Sequence, residues 1–92
     1  MIKHFRHKVL ELFFRTGSTA KIQAAHAARL KRQLLALHHA AVPKDMAIPG
    51  WRLHPLGYDL DGHWSVWVSG NWRLTFAFEG HDALQVDYQD YH

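Results

Sequence analysis

From His7 to Ala41 the apolar residues of this chain recur at helical spacing, and from His63 onward they fall at every second position. Pro43 and Pro49-Gly50 mark the boundary between the two regimes. A chain that changes period once must lay its helices on a sheet made by its second half, because each amphipathic element has to bury its apolar face against another layer. That is an α+β organisation. The 92 residues suffice for one core, so the expectation is a single domain spanning 1–92.

The elements can be placed along the chain. Ile2 to Phe5 alternates and reads as a short strand. From His7 onward Val9, Leu10, Phe13 and Phe14 define a first helix of about ten residues, with Gly17 as its stop. Ser18 or Thr19 offers a cap for a second helix, which reads from Ala24 to Ala41 with an apolar stripe of Leu30, Leu34, Leu37 and Ala41. Trp51 to Leu56 reads as a strand interrupted by Pro55. His63–Ser69 and Trp72–Phe78 form a hairpin, and Ala83–Tyr88 a last strand.

The hairpin loop decides which residues share a face. A two-residue Gly70-Asn71 loop puts Arg73 with Trp64 and Val66. A three-residue loop starting at Ser69 unites Trp64, Val66, Val68, Trp72, Leu74 and Phe76 on the core face and leaves Arg73, Thr75 and Ala77 with Trp67 on the other. The second arrangement is expected, because it gathers the apolar residues. The order is then β-α-α-β-β-β-β, an antiparallel sheet with both N-terminal helices packed on one face.

Composition excludes several classes. Hydrophobic residues are 48% of the chain and aromatics 13%, too apolar for disorder. There is no cysteine, hence neither a disulfide framework nor a thiolate metal site. No apolar run approaches the ~20 residues of a membrane span, and the basic start Lys3-His4-Phe5-Arg6-His7-Lys8 leads into a short apolar stretch broken by Glu11, without a cleavage site. The expectation is a cytoplasmic protein. Eleven Lys and Arg against eight Asp and Glu, with nine His in reserve, make polyanions suitable partners.

Histidine number alone does not make a metal site. His38 and His39 are adjacent and diverge by about 100° on a helix, and His4 and His7 straddle a strand end. No metal or cofactor is expected. The chain carries instead an ionisable set along its strands: His54 after one, Arg73 in the middle of another, and Asp90-Tyr91-His92 at the terminus. RNA is cut without a metal when a base takes the 2′-OH proton, a cation stabilises the phosphorane and an acid protonates the leaving 5′-oxygen. Imidazole, with a pKa of about 6.5, serves as either acid or base, and guanidinium offers a planar fork to phosphate. On chemistry alone, a polar tail and a loop histidine are the better account of these residues.

Ordered along the whole chain, Met1-Ile2-Lys3, Phe5, His7-Lys8, the basic second helix, Arg52-Leu53-His54-Pro55-Leu56, Gly62-His63-Trp64-Ser65-Val66, Asn71-Trp72-Arg73-Leu74-Thr75-Phe76 and Asp90-Tyr91-His92 make the sequence resemble the HigB toxins, the plasmid-maintenance killer proteins of the RelE/ParE superfamily. The resemblance implies a RelE-like fold and ribosome-dependent cleavage of mRNA. It implies His54 and His92 in acid–base work, Arg73 on the phosphate, Tyr91 orienting the substrate and Asp90 holding the basic groups. Arg52, Trp67, Asn71 and Arg73 are the expected RNA contacts, Trp67 by stacking on a base or by covering the sheet. The implied partners are the ribosome with its mRNA and a HigA-like helix-turn-helix antitoxin, through which alone operator DNA would be bound; no membrane is implied.

Two positions depart from the pattern. Many relatives carry Lys after His-Pro-Leu, where this chain has Gly57, and a position often basic before the hairpin turn is Ser69. Both thin the positive field. Two alternatives stay open on the same fold: a ParE-like poison that binds DNA gyrase without catalysis, and an inactive relative that binds only its antitoxin.

Overall fold

A computed structural model describes residues 1–90. Two helices, α1 (Lys8–Thr16) and α2 (Ala24–His39), precede a four-stranded antiparallel sheet in the order β1 (His54–Pro55), β2 (His63–Ser69), β3 (Trp72–Glu79), β4 (Asp82–Asp90). This is the α+β arrangement that the change of period predicts. The imidazole Nδ1 of His7 accepts from the Leu10 N–H to cap α1, and Gly17, in the left-handed region, ends it. Among the described residues no helix is long and apolar enough to cross a membrane.

Several boundaries differ from the sequence expectation, each for a local reason. The first strand is reduced to two isolated parallel bridges, Ile2 to Ala83 and Phe5 to Val86. Neither Ser18 nor Thr19 caps α2, which begins after Gln23. Its end comes at His39, because Ala40 is already extended and the Asp45 carboxylate accepts from the N–H groups of Ala41 and Val42; Val42 is also held out of the helix by Pro43. Ala41 is therefore exposed, and Ala40 is buried in its place. The strand expected over 51–56 shrinks to β1, because Arg52 adopts a left-handed φ of 52°. Trp51 nevertheless rejoins the sheet through its carbonyl, which accepts from Trp67 N–H at 2.7 Å.

The hairpin loop corrects the sequence reading in mechanism while keeping its result. The turn is the two-residue Gly70-Asn71, with Ser69 paired to Trp72, and Val68 is an extra residue in β2 between the Trp67–Arg73 and Ser69–Trp72 pairs. This bulge restores the parity that a two-residue turn alone would reverse. Val66, Val68, Leu74 and Phe76 are buried under the helices, Trp64 and Trp72 pack partly buried beside them, and Trp67 and Arg73 face away. A second bulge places Gln85 and Val86 of β4 opposite Phe76, with Gln85 at φ 55°.

The helices cover the core face. Leu10 and Phe13 of α1 and Leu30, Leu34 and Leu37 of α2 meet Val66, Leu74, Phe76 and Val86 of the sheet. Two polar ties fix α2 within this layer. His26 is hydrogen-bonded through Nδ1 to the Tyr88 hydroxyl, and buried Gln33 donates from Nε2 to the Trp67 carbonyl at 2.8 Å.

Candidate active site

With the helices on one side, the other side of the sheet is free to work. Residues directly opposite on paired strands share a face, so the register defines two rows across it. His54, Ser65, Thr75 and Asp87 form one; Trp67, Arg73 and Gln89 form the next. The floor is made of short side chains, Ser65 and Thr75, both buried, and Gln89 donates to Thr75 Oγ1 at 3.0 Å. The taller residues at the β1 and β3 positions stand around this floor.

A cleft of about 370 Å³ opens there, lined by Arg52, Leu53, His54, Leu56, Ser65 and Arg73. It unites three residues singled out in the sequence: His54 from β1, Arg52 just before it, and Arg73 from β3. The strands bearing His54 and Arg73 are two apart, which sets their backbones roughly 10 Å from each other. That leaves room for a phosphodiester between the side chains.

Both guanidiniums have defined positions. Arg73 donates from Nη1 to the carbonyls of Gly70 at 3.1 Å and Trp72 at 3.2 Å. The Gly70 carbonyl also accepts from Trp67 Nε1 at 2.9 Å, so one turn carbonyl, presented by a glycine at φ 55°, orients both residues. The guanidinium of Arg52 lies over the Trp67 ring at 4.4 Å, and that of Arg29, from α2, lies over it at 5.3 Å. Among the described residues neither Arg52 nor Arg73 forms an ion pair. The cleft therefore carries two positive charges and an exposed imidazole, a set suited to an anion whose bonds are to be remade.

Of the other expected site residues, Asp90 and Asn71 lie outside the cleft lining. Asp90 ends β4 opposite Trp72, next to the Arg73–Gln89 pair. Asn71 sits exposed in the turn, outside the cleft lining. Tyr91 and His92 lie outside the described residues. Among the described residues no group of three or more His, Cys, Asp or Glu is disposed to hold a metal ion.

Sequence reasoning missed the lining contributed by Leu53, Leu56 and Ser65, and it missed Arg29. Ser65 was legible in principle, since it alternates with Trp67. Arg29 was not, because its approach to Trp67 spans the gap between helix and sheet edge.

Comparison with known proteins agrees with this architecture over the full chain. A family model described as the RelE-like toxin of type II toxin-antitoxin system HigB matches residues 3–92. The chain is also 40% identical over 92 residues to the endoribonuclease HigB of Proteus vulgaris, with 100% of both chains covered. A helix pair backing a sheet whose open face gathers Arg52, His54 and Arg73 thus sits in a sequence that matches one family from end to end, and the chain belongs to the HigB-like toxins, the RelE-like toxins of type II toxin-antitoxin systems.

Proposed function

We propose that this chain is an endoribonuclease that cuts mRNA in the decoding site of the ribosome, by proton transfer and charge stabilisation from its own side chains. The observation that carries the reading is the convergence of Arg52, His54 and Arg73 on one cleft of the open sheet face. The relative's name, endoribonuclease HigB, supports it.

In the reaction, one imidazole of the pair His54 and His92 takes the 2′-OH proton, and the 2′-oxygen attacks the adjacent phosphorus. The P–O5′ bond breaks, and the other imidazole protonates the leaving 5′-oxygen. Arg73, held by the Gly70 and Trp72 carbonyls, stabilises the negative charge that grows on the phosphorane oxygens. Asp90 holds the basic groups, Tyr91 orients the substrate, and Asn71 and Arg52 contact the RNA. The ribosome supplies the ordered codon.

A type II toxin has a cognate antitoxin. We assign to this one a HigA-like protein with a helix-turn-helix domain, through which the pair reaches operator DNA. The test is induction in a bacterial host of the wild type beside Arg73→Ala and a truncation lacking His92, with mapping of mRNA 5′ ends. Growth arrest with cuts at fixed codon positions, lost in both variants, supports the reading. Arrest with intact transcripts and altered DNA supercoiling overturns it in favour of a gyrase poison, and absence of arrest overturns it in favour of an inactive relative.

A further inference from the structure

Trp67 occupies the Arg73 row of the open face, yet it does not line the cleft. Its ring instead carries the guanidinium of Arg52 at 4.4 Å, and Arg52 does line the cleft. We propose that Trp67 is a positioning residue: it holds Arg52 so that Arg52 and Arg73 form a two-guanidinium clamp on the RNA phosphate, and it does not itself stack on a base. The proposal rests on the nuclease reading above and assigns a division of labour within that site.

Three observations carry it. The Arg52 backbone is left-handed, at φ 52°, a conformation that costs a non-glycine residue free energy and survives where its surroundings enforce it. Those surroundings are visible on both sides of the pair. The Trp51 carbonyl is locked to the Trp67 N–H at 2.7 Å, and the Trp67 indole N–H is locked to Gly70 at 2.9 Å. The same Gly70 carbonyl holds Arg73 at 3.1 Å, so the two guanidiniums are referenced to one rigid frame, Arg52 through the indole ring and Arg73 directly. Arg29 also lies over the ring, at 5.3 Å, which further occupies the indole with cations. A guanidinium keeps its planar fork open toward phosphate while its face rests on an aromatic ring. Two like charges lining one cleft repel each other until an anion enters between them.

The test is a double-mutant cycle on cleavage of mRNA held in programmed ribosomes, with kcat/KM measured for the wild type, Arg52→Gln, Trp67→Leu, the double variant and Trp67→Phe. Lys44→Gln, which removes a positive charge outside the cleft lining, is the charge control. Arg52→Gln is expected to lower kcat/KM about tenfold or more, the effect of losing a charge-assisted hydrogen bond to phosphate. Trp67→Leu is expected to produce most of that loss, and the double variant to be within about twofold of Arg52→Gln alone, because residues acting through one contact do not add. Trp67→Phe, which keeps an aromatic face but lacks the indole N–H, is expected to recover most of the activity lost in Trp67→Leu. Losses that multiply in the double variant overturn the proposal, as does a Trp67→Phe variant no better than Trp67→Leu, or an Arg52→Gln variant no different from Lys44→Gln. A wild type that cuts nothing on programmed ribosomes overturns the nuclease reading, and this inference with it.

Discussion

Removing one oxygen atom from Tyr88 tests how the helical layer is fastened to the sheet. Tyr88 and His26 are each 5% exposed, and the hydroxyl is hydrogen-bonded to His26 Nδ1. Burial raises the phenol pKa, so Tyr88 keeps its proton, and the direction of the bond to the ring nitrogen follows the imidazole tautomer. In Tyr88→Phe the aromatic ring remains to pack against Trp72, 4.5 Å away between centroids, while Nδ1 of His26 is left buried without a partner. An unsatisfied buried donor or acceptor costs about 1–3 kcal/mol. For a domain of this size each kcal/mol lowers Tm by about 4–8 °C, so a central loss of about 2 kcal/mol corresponds to about 8–16 °C. Urea unfolding followed by tryptophan fluorescence measures it, with an unchanged slope showing that the native and unfolded states keep their compactness. Adding His26→Leu removes the stranded ring nitrogen, and the pair of substitutions is expected to lose less than the sum of its parts. A Tyr88→Phe variant within about 0.5 kcal/mol of the wild type, or strict additivity in the pair, refutes the reasoning.

Three further perturbations have defined outcomes. Burial, aided by the N-terminus, His39 and Arg15, lowers the pKa of His38 below its ordinary 6.5, and its Nδ1 accepts the Ile2 N–H; the folded state therefore binds fewer protons there, its contribution is intact above 6.5 and declines as pH falls from there through the lowered value, and a His38→Gln variant should flatten that acid limb of a stability–pH curve. Gln85→Gly at the left-handed bulge position is expected to be neutral or stabilising by up to about 1 kcal/mol and Gln85→Val destabilising by about 1–2 kcal/mol, with equal urea midpoints for the two as the contrary result. Gly57 has an extended backbone and open space where a Cβ would stand, so Gly57→Lys should leave stability within about 0.5 kcal/mol and raise mRNA cleavage several-fold by adding a cation next to Leu56 of the cleft; a lower rate counts against the reading.

The change of period made the helix pair, the hairpin and the final strand legible, since each is an amphipathic element whose pattern survives in isolation. The faces were also legible, though by a different route from the one the molecule takes: the apolar residues of β2 and β3 had to share a face, and the chain achieves this with a bulge at Val68 rather than a longer loop. The left-handed turn at Arg52 was hidden, because nothing in Trp51-Arg52-Leu53 demands a positive φ. For the site, His54, Arg52 and Arg73 could be named from their chemistry and from resemblance, whereas their meeting in one cleft depends on register. The His26–Tyr88 and Arg29–Trp67 contacts were beyond reach, since each joins a helix to a strand far along the chain.

The N-terminal bridges to β4 have a consequence for how the toxin comes into being. Ile2 and Phe5 find their partners in Ala83 and Val86, roughly eighty residues later, so these pairings close a very long loop and rank among the slowest to form. β4 is also translated after every other strand of the sheet, and β3 has no outer neighbour until it arrives. A copy whose β4 has not yet joined holds an unfinished sheet, and with it an unfinished Arg73 row. One strand thus completes two things at once, the Arg73 row on the open face and the anchorage of the N-terminal segment, so whatever loosens β4 loosens both.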